Sequence, residues 1–493
     1  MNRLIELLGG ADRTRTENGA AAHMSTGSDC LDLFSSVGAL RSNDEEDIYT
    51  RFIRAYAEDP DMAVKILFYA RDVRGGLGER RIFRVILRRM AFDHPESVRK
   101  NIGYIFEYGR YDDLMVLMGT PCENEAASYI ARQLTADVTA LENGGEVSLL
   151  AKWLPSVNAS SAETVQTARR LAKHLGMSER QYRKVLVSLR RRIHIIENDL
   201  RTGDYSFDYE KQCSRAMYKY RKAFIRNDGE RYKAYLEDAA NGIRTMHTSN
   251  IYPYEIVEGV LGKNLAGRNM ADLSADEVNA LNTMWENLPV YGGGNALAVV
   301  DTSGSMYCGK PKPASVALSL GIYLADKNKG AFGGCFMEFS DKPTLIKLKG
   351  STFAEKLRYA ASFSRVANTN IEAVFELILR TAVINRLRSS ELPETLILIS
   401  DMEFDCISSH ADRTVFEHAK SRYEHHGYAL PRIVFWNVQS RNAHQPVRMD
   451  ERGVILVSGC TPKTFEMVAS GETSPYEFML KTLSAERYSR ITA

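Results

Sequence analysis

Apolar positions follow two rhythms along this chain, and the change from one to the other divides it. From about Asp44 to Gly262 they recur at spacings of three and four: Ile48, Phe52, Ile53 and Tyr56; Ala63, Ile66, Leu67 and Ala70; Ile82, Val85, Ile86 and Met90; Val98, Ile102, Ile105 and Phe106. That spacing predicts short amphipathic helices, with Asp61 and Pro95 where helices would begin. No such helix can bury its apolar face alone, so stacked pairs are expected: an all-α solenoid of irregular repeat. After Gly262 a polar connector with a helical stretch, Ala275 to Leu288, leads to Gly292-Gly293-Gly294. From Ala296 element types alternate. Strands are expected at Ala296–Val300, Thr395–Ser400, Arg432–Val438 and Val454–Val457, and a hairpin at Gly334–Phe339 and Thr344–Leu348. Helices are expected near Ala314–Lys327, Phe353–Phe363, Ile371–Leu387 and Val415–His425, and from Pro462 and Pro475 onward. This alternation predicts a doubly wound parallel sheet with one antiparallel edge. Ahead of both regions, Met1 to Ser42 is polar and rich in small residues, a partly ordered arm whose apolar patch, Leu31 to Leu40, docks on the body. The expected domains are thus the arm at 1–42, a helical domain at 43–290 and an α/β domain at 295–493.

At 493 residues the chain exceeds one ordinary core, so several domains are expected. Its 44% hydrophobic and 26% charged residues are those of a globular protein, and a net charge of +2 leaves any electrostatic role to local clusters. Seven scattered cysteines, with no Cys-x-x-Cys pair, argue against a disulfide framework or structural zinc and for a reducing compartment. No apolar run reaches the roughly 18 residues that span a bilayer, and Met1 to Arg15 lacks a signal-peptide core. The expectation is a cytoplasmic protein.

The chemistry concentrates at Ala296 to Met306, ALAVVDTSGSM. A continuous apolar run suits a central strand buried on both faces, and the residues past its end turn into the crevice where open α/β sheets bind ligands. Asp301, Ser303 and Ser305 would converge there. Oxygen donors of this kind suit a hard divalent cation, Mg2+ above all. The same residues also fit an ordinary strand-to-helix turn with Ser and Asp capping the helix.

Asp301-Thr302-Ser303-Gly304-Ser305 resembles the Asp-x-Ser-x-Ser signature of the metal-ion-dependent adhesion site in von Willebrand factor A domains. The resemblance implies a Rossmann-like A domain with Mg2+ or another divalent cation held by Asp301, Ser303, Ser305, Thr369 and Asp401, the last following the run TLILIS. The family usually has glycine before the threonine and often after the last aspartate; this chain has Asn368 and Met402. Glu403 and Asp405 add carboxylates that either approach the metal or face solvent.

Two basic clusters stand apart. Arg71, Arg74, Arg80 and Arg81 flank Gly75, Gly76 and Gly78, an arrangement able to present guanidinium and backbone N–H groups to phosphate. It serves equally as a helix–helix corner, with Asp72 and Glu79 as ion-pair partners. Arg180 to Lys233 holds 15 Lys and Arg against 7 Asp and Glu. Within it Arg183, Lys184, Arg190, Arg191, Arg192, Lys219, Arg221, Lys222 and Arg226 are candidates for RNA phosphates, and Tyr182, Tyr218, Tyr220 and Tyr232 for stacking on bases. The alternative is a solvated helix face with its tyrosines turned inward.

Arg74-Gly75-Gly76, Gly109-Arg110-Tyr111-Asp112-Asp113, Trp153-Leu154-Pro155 and Tyr218 to Lys233 are similar to an uncharacterised bacterial and phage family that pairs a helical region with an A domain. That arrangement is remotely similar to the Ro autoantigen proteins, whose HEAT-repeat ring, the TROVE module, is closed by the same kind of domain. The resemblance implies a HEAT-like helical domain and a ribonucleoprotein role with small or misfolded RNA. No catalytic set is present. Cys335 and Cys406 lack a histidine at any catalytic spacing, and His425-His426 point about 100° apart on a helix. The expectation is therefore a non-enzymatic RNA-binding protein, with a metal-dependent adaptor capturing an acidic residue of a partner protein as the alternative. No membrane partner is expected.

Overall fold

The computed structural model describes residues 12–193, 195–261, 272–292, 294–339, 342–363, 370–405, 414–468 and 474–493. The chain forms two compact units. A sheet unit comprises Met1–Asp44 and Tyr209–Ser484, and a helical unit comprises Glu45–Asp208 and Ala485–Ala493. These units are drawn differently from the expected domains in two places. The arm belongs to the sheet unit, and so do the helices from Tyr209 onward that periodicity alone assigns to the helical domain.

Strands β1 (Arg13–Arg15) and β2 (Ala21–His23) pair antiparallel, and helix α1 (Asp29–Ser36) follows, capped by the Ser28 side chain on the Leu31 amide. The patch Leu31 to Leu40 is buried as expected, apart from half-buried Asp32, and α1 packs on the last strand of the sheet.

The helical unit contains α2 (Glu45–Glu58), α3 (Pro60–Arg71), α4 (Arg80–Asp93), α5 (Glu123–Glu142), α6 (Ala162–His174) and α7 (Glu179–Arg192), with shorter helices between them. Asp59 and Pro60 start α3, and Pro95 opens the short helix after α4, close to the expected starts. The 72–79 corner between α3 and α4 is folded by close packing: a Cβ on Gly76 would lie 2.0 Å from the Tyr69 carbonyl oxygen, and Gly78 has φ +72. The last residues return to this corner. Arg487 and Tyr488 both bond the carboxylate of Asp72, which is fully buried.

In the sheet unit, α8 (Ser214–Asn227), α9 (Gly229–Ala240), α10 (Pro253–Leu261) and α11 (Ala275–Glu286) precede the sheet. They join it because their apolar faces find partners there. Ile256, Val257, Val260 and Leu261 of α10 are buried, α10 packs on α12 (Pro313–Lys327), and Ser315 donates to Glu258 at 3.0 Å. Trp285 of α11 stacks on Phe353 and donates to Asp326 at 3.0 Å.

The sheet runs β5-β4-β3-β6-β7-β8. Its strands are β3 (Ala296–Asp301), β4 (Cys335–Phe339), β5 (Thr344–Lys347), β6 (Thr395–Ser400), β7 (Arg432–Asn437) and β8 (Val454–Ser458). All pairings are parallel except β4 with β5, the expected antiparallel edge. Helix α12 covers one face so closely that a Cβ on Gly321 would meet Val300 Cγ2 at 2.4 Å. On the other face Leu297, Val299, Leu396, Leu398, Ile433 and Phe435 share a core with α14 (Glu372–Asn385) and α15 (Val415–His425), α13 (Phe353–Ala361) lying earlier in the chain. The chain runs from β3 to β4 on one side and then to β6 on the other, so the topological switch point lies between β3 and β6.

Candidate metal centre and basic surfaces

Asp301 ends β3 and Asp401 follows β6, one on each side of the switch point. Every residue of both strands is buried, which carries the two carboxylates to the carboxyl edge of the sheet and out of water. Asp301 Oδ1 accepts from the Ser303 amide at 2.8 Å and Oδ2 from the Ser400 hydroxyl at 2.6 Å. Ser303 and Ser305 hold their hydroxyl oxygens 3.1 Å apart, and the Ser305 hydroxyl bonds Asp401. Asp401 Oδ2 also receives Arg441 at 3.0 Å. The four expected donors thus form one linked cluster; Thr369, the fifth, lies outside the described residues.

The electrostatics of the cluster are those of a site short of positive charge. Burial, and then the neighbouring Asp401 charge, push Asp301 up to about 7. Burial also raises Asp401, against the opposing effects of Ser305 and Arg441. Asp301 has no Lys or Arg partner among the described residues. A cation held by two carboxylates and two hydroxyls would neutralise this pair, and oxygen-only donors suit Mg2+, so the residues present fit the ion. Met402, where the A-domain pattern often has glycine, adopts φ 68 with its side chain buried. The turn after β6 therefore keeps the left-handed conformation without the glycine.

Glu403 is buried but turned to other work. Its carboxylate takes the Glu17 amide at 2.7 Å and Asn442 Nδ2 at 2.8 Å, with His444 Nε2 3.0 Å away. Burial alone would raise it, yet these partners hold it below the usual carboxylate range. Asp405 bridges to Gly19 of the arm. Sequence reading missed Ser400, Arg441 and Glu17, and also Glu338, which accepts from the buried Thr302 hydroxyl at 2.7 Å. Ser400 was visible as the polar end of an apolar strand, whereas nothing local marks Arg441 or Glu17.

The basic residues are sorted by their surroundings. In the helical unit Arg71 is buried, its guanidinium 2.7 Å from the fully buried Asp113, so it is corrected from a surface contact to an interior ion pair. Arg74 is exposed and reaches the Glu107 carbonyl oxygen, Arg80 pairs with Asp112 at 2.8 Å, and Arg81 is exposed. Arg190 is occupied by the carbonyls of Ala151 and Leu154, both at 2.8 Å, and Arg192 by those of Gly145 and Gly144. Arg183, Lys184 and Arg191, with Arg180, are different. They form the solvent face of α7 opposite buried Tyr182, Leu186 and Leu189, and have no ion pair among the described residues.

In the sheet unit Lys219 lies over the Tyr220 ring, Lys222 pairs with Glu277 at 2.8 Å, and Arg226 is exposed. Arg221 is buried over the Tyr218 ring with its Nη1 bonded to the Tyr218 carbonyl. Tyr182 and Tyr232 are buried and Tyr218 bonds the Glu255 carbonyl, so three of the four expected stacking tyrosines serve packing. The single basic segment of the sequence is divided between the two units at Tyr209.

Fold and site define a protein that joins a helical unit to an α/β unit with an oxygen-donor cluster at the sheet's switch point. The chain belongs to the family described as a domain of unknown function, DUF2828, which matches residues 16–118 and 123–289. Residues 295–480 match a second domain of unknown function, DUF7788. An uncharacterised protein of Acanthamoeba polyphaga mimivirus is 29% identical over 511 residues, covering 96% of this chain and 87% of its own. The Ro (RSR) protein of Deinococcus radiodurans is similar at a TM-score of 0.34 and 14% identity, over 87% of this chain and 93% of that one, a likeness too slight to bear on function.

Proposed function

We propose that this protein is a non-catalytic RNA-binding protein whose sheet unit, a von Willebrand A-like domain, holds a divalent cation, Mg2+ foremost. One observation carries the cation: Asp301 and Asp401 are buried side by side, and Asp301 has no cationic partner among the described residues. Removing a carboxylate from water is costly unless it is paired. Asp301, Ser303, Ser305 and Asp401 would hold the ion, which supplies positive charge and a fixed geometry to the crevice. RNA as the ligand is supported by the α7 face of Arg180, Arg183, Lys184 and Arg191, whose guanidinium and ammonium groups are open to phosphate.

Fluorescence anisotropy with a labelled single-stranded oligoribonucleotide tests the RNA reading. Affinity is expected to fall steeply between about 50 and 200 mM salt. Replacing Arg183, Lys184 and Arg191 together by Glu is expected to weaken binding by at least about tenfold, since three phosphate contacts are reversed in sign. Salt-independent binding, or unchanged affinity in the triple variant, contradicts it. Arg441 favours a second reading, in which the cation captures an acidic side chain of a partner protein, because its guanidinium beside Asp401 would also face an incoming carboxylate.

A further inference from the structure

The arm reaches the candidate metal centre through a relay of charges. Between β1 and β2, Thr16 donates to the Phe404 carbonyl at 2.6 Å, the Glu17 amide to Glu403 at 2.7 Å, and Asn18 to the Glu403 carbonyl at 2.6 Å. Backbone bonds between His23 and Gln445, at 2.9 and 2.8 Å, fix the other end of the hairpin. The turn is thereby seated on the loops that follow β6 and β7. It places the Glu17 carboxylate 2.7 Å from Arg441 Nη1, while Arg441 Nη2 bonds Asp401 Oδ2 at 3.0 Å. Asn442 steadies Glu17 from the side at 3.1 Å. Arg441 is therefore shared between one fully buried carboxylate belonging to the centre and one half-exposed carboxylate belonging to the arm.

We propose that Arg441 is the built-in counter-cation of the centre, competing with the divalent ion for Asp401, and that Glu17 of the arm sets how strongly it competes. This rests on the cation reading of the Asp301–Asp401 cluster. A guanidinium on Asp401 Oδ2 occupies a lone pair that a metal would use and adds a positive charge that repels one. Glu17 draws part of that charge away. With Glu17 seated, Arg441 divides its hydrogen bonds and the potential at Asp401 is less positive; without it, Arg441 serves Asp401 alone. The two residues thus act on cation affinity with opposite signs, and the seating of the arm is coupled to the occupancy of the centre. A purely structural ion pair has no such sign pattern, since loss of either partner would loosen the site in the same direction.

Isothermal titration calorimetry with Mg2+ on the chelator-treated full chain separates the two cases, using the wild type, Arg441→Gln, Glu17→Gln and, with charge retained, Arg441→Lys. Thermal melting without cation shows that each is folded. Arg441→Gln is expected to bind Mg2+ about tenfold more tightly, the size of effect one neighbouring charge has on a carboxylate. Glu17→Gln is expected to bind several-fold more weakly, and Arg441→Lys close to the wild type. Tighter binding in Arg441→Gln together with weaker binding in Glu17→Gln, each relative to the wild type, supports the proposal. Equal affinities in all four, or weakening in both glutamine variants, overturn it and leave the cation reading standing. No Mg2+ binding in any of them removes the cation reading itself and the proposal with it.

Discussion

Arg71 and Asp301 are both charged side chains withdrawn from water, and their neighbours assign them different work. Arg71 meets Asp113 at 2.7 Å in the interior of the helical unit, a completed pair. Asp301 meets a second carboxylate and two hydroxyls, an uncompleted one. Arg71→Ala is expected to destabilise the helical unit by about 3 kcal/mol, since it strips a charged partner from a buried carboxylate that then retains Arg84 and the Arg110 amide. RNA affinity should be unchanged. Melting and anisotropy on the same preparation check both halves, and a stable variant with weakened RNA binding would restore Arg71 to the surface role. Asp401 was placed only by the resemblance to the A-domain signature, whereas spacing itself picked out Asp301, Ser303 and Ser305, because strand ends and alternate positions are local features. It could not distinguish Arg71 from Arg81, because burial depends on which helix lies opposite.

At the scale of elements, periodicity located the strands and most helices to within a few residues, for the reason that amphipathic spacing is imposed by the core each element faces. It was silent about the 72–79 corner. Its glycines were equally consistent with a phosphate loop and a tight turn, and the turn is what forms, since a side chain on Gly76 has no room. The corner has a partner far along the chain: the carboxylate of Asp72 takes Arg487 and Tyr488, while Tyr108 bonds the Arg487 carbonyl. Ending the chain after Ser484 is expected to leave Asp72 buried without its cation, lower the melting temperature of the helical unit and open the 72–79 corner to protease. An unchanged melting profile and cleavage pattern would show that the terminal residues contribute nothing to it. The α7 face follows the same logic. Spacing left Tyr182 open to base stacking or inward packing, and only its surroundings show that it is buried, that Arg190 and Arg192 are spent on carbonyl groups, and that Arg183, Lys184 and Arg191 remain open.

For the whole molecule, a linear reading divides the chain at 42 and 290, whereas the compact units exchange segments at Asp44, Tyr209 and Ser484. Spacing announces that a helix has an apolar face but not which neighbour will cover it. The arm and α8 to α11 are assigned to the sheet unit by packing that no local signal encodes. One consequence is that Glu17, some 280 residues before Asp301 in sequence, stands at the rim of the same centre as Arg441. Both the coupling of the arm to this centre and the role of Arg441 depend on the centre holding a divalent cation. The most direct test of that occupancy is thermal unfolding of the chelator-treated full chain in rising Mg2+, for the wild type and Asp301→Asn. The expected result is a melting temperature that climbs with Mg2+ in the wild type, by the equivalent of about 2.7 kcal/mol at a hundredfold excess over Kd, and stays flat in Asp301→Asn. A flat wild-type profile, or the same rise in both proteins, would contradict it.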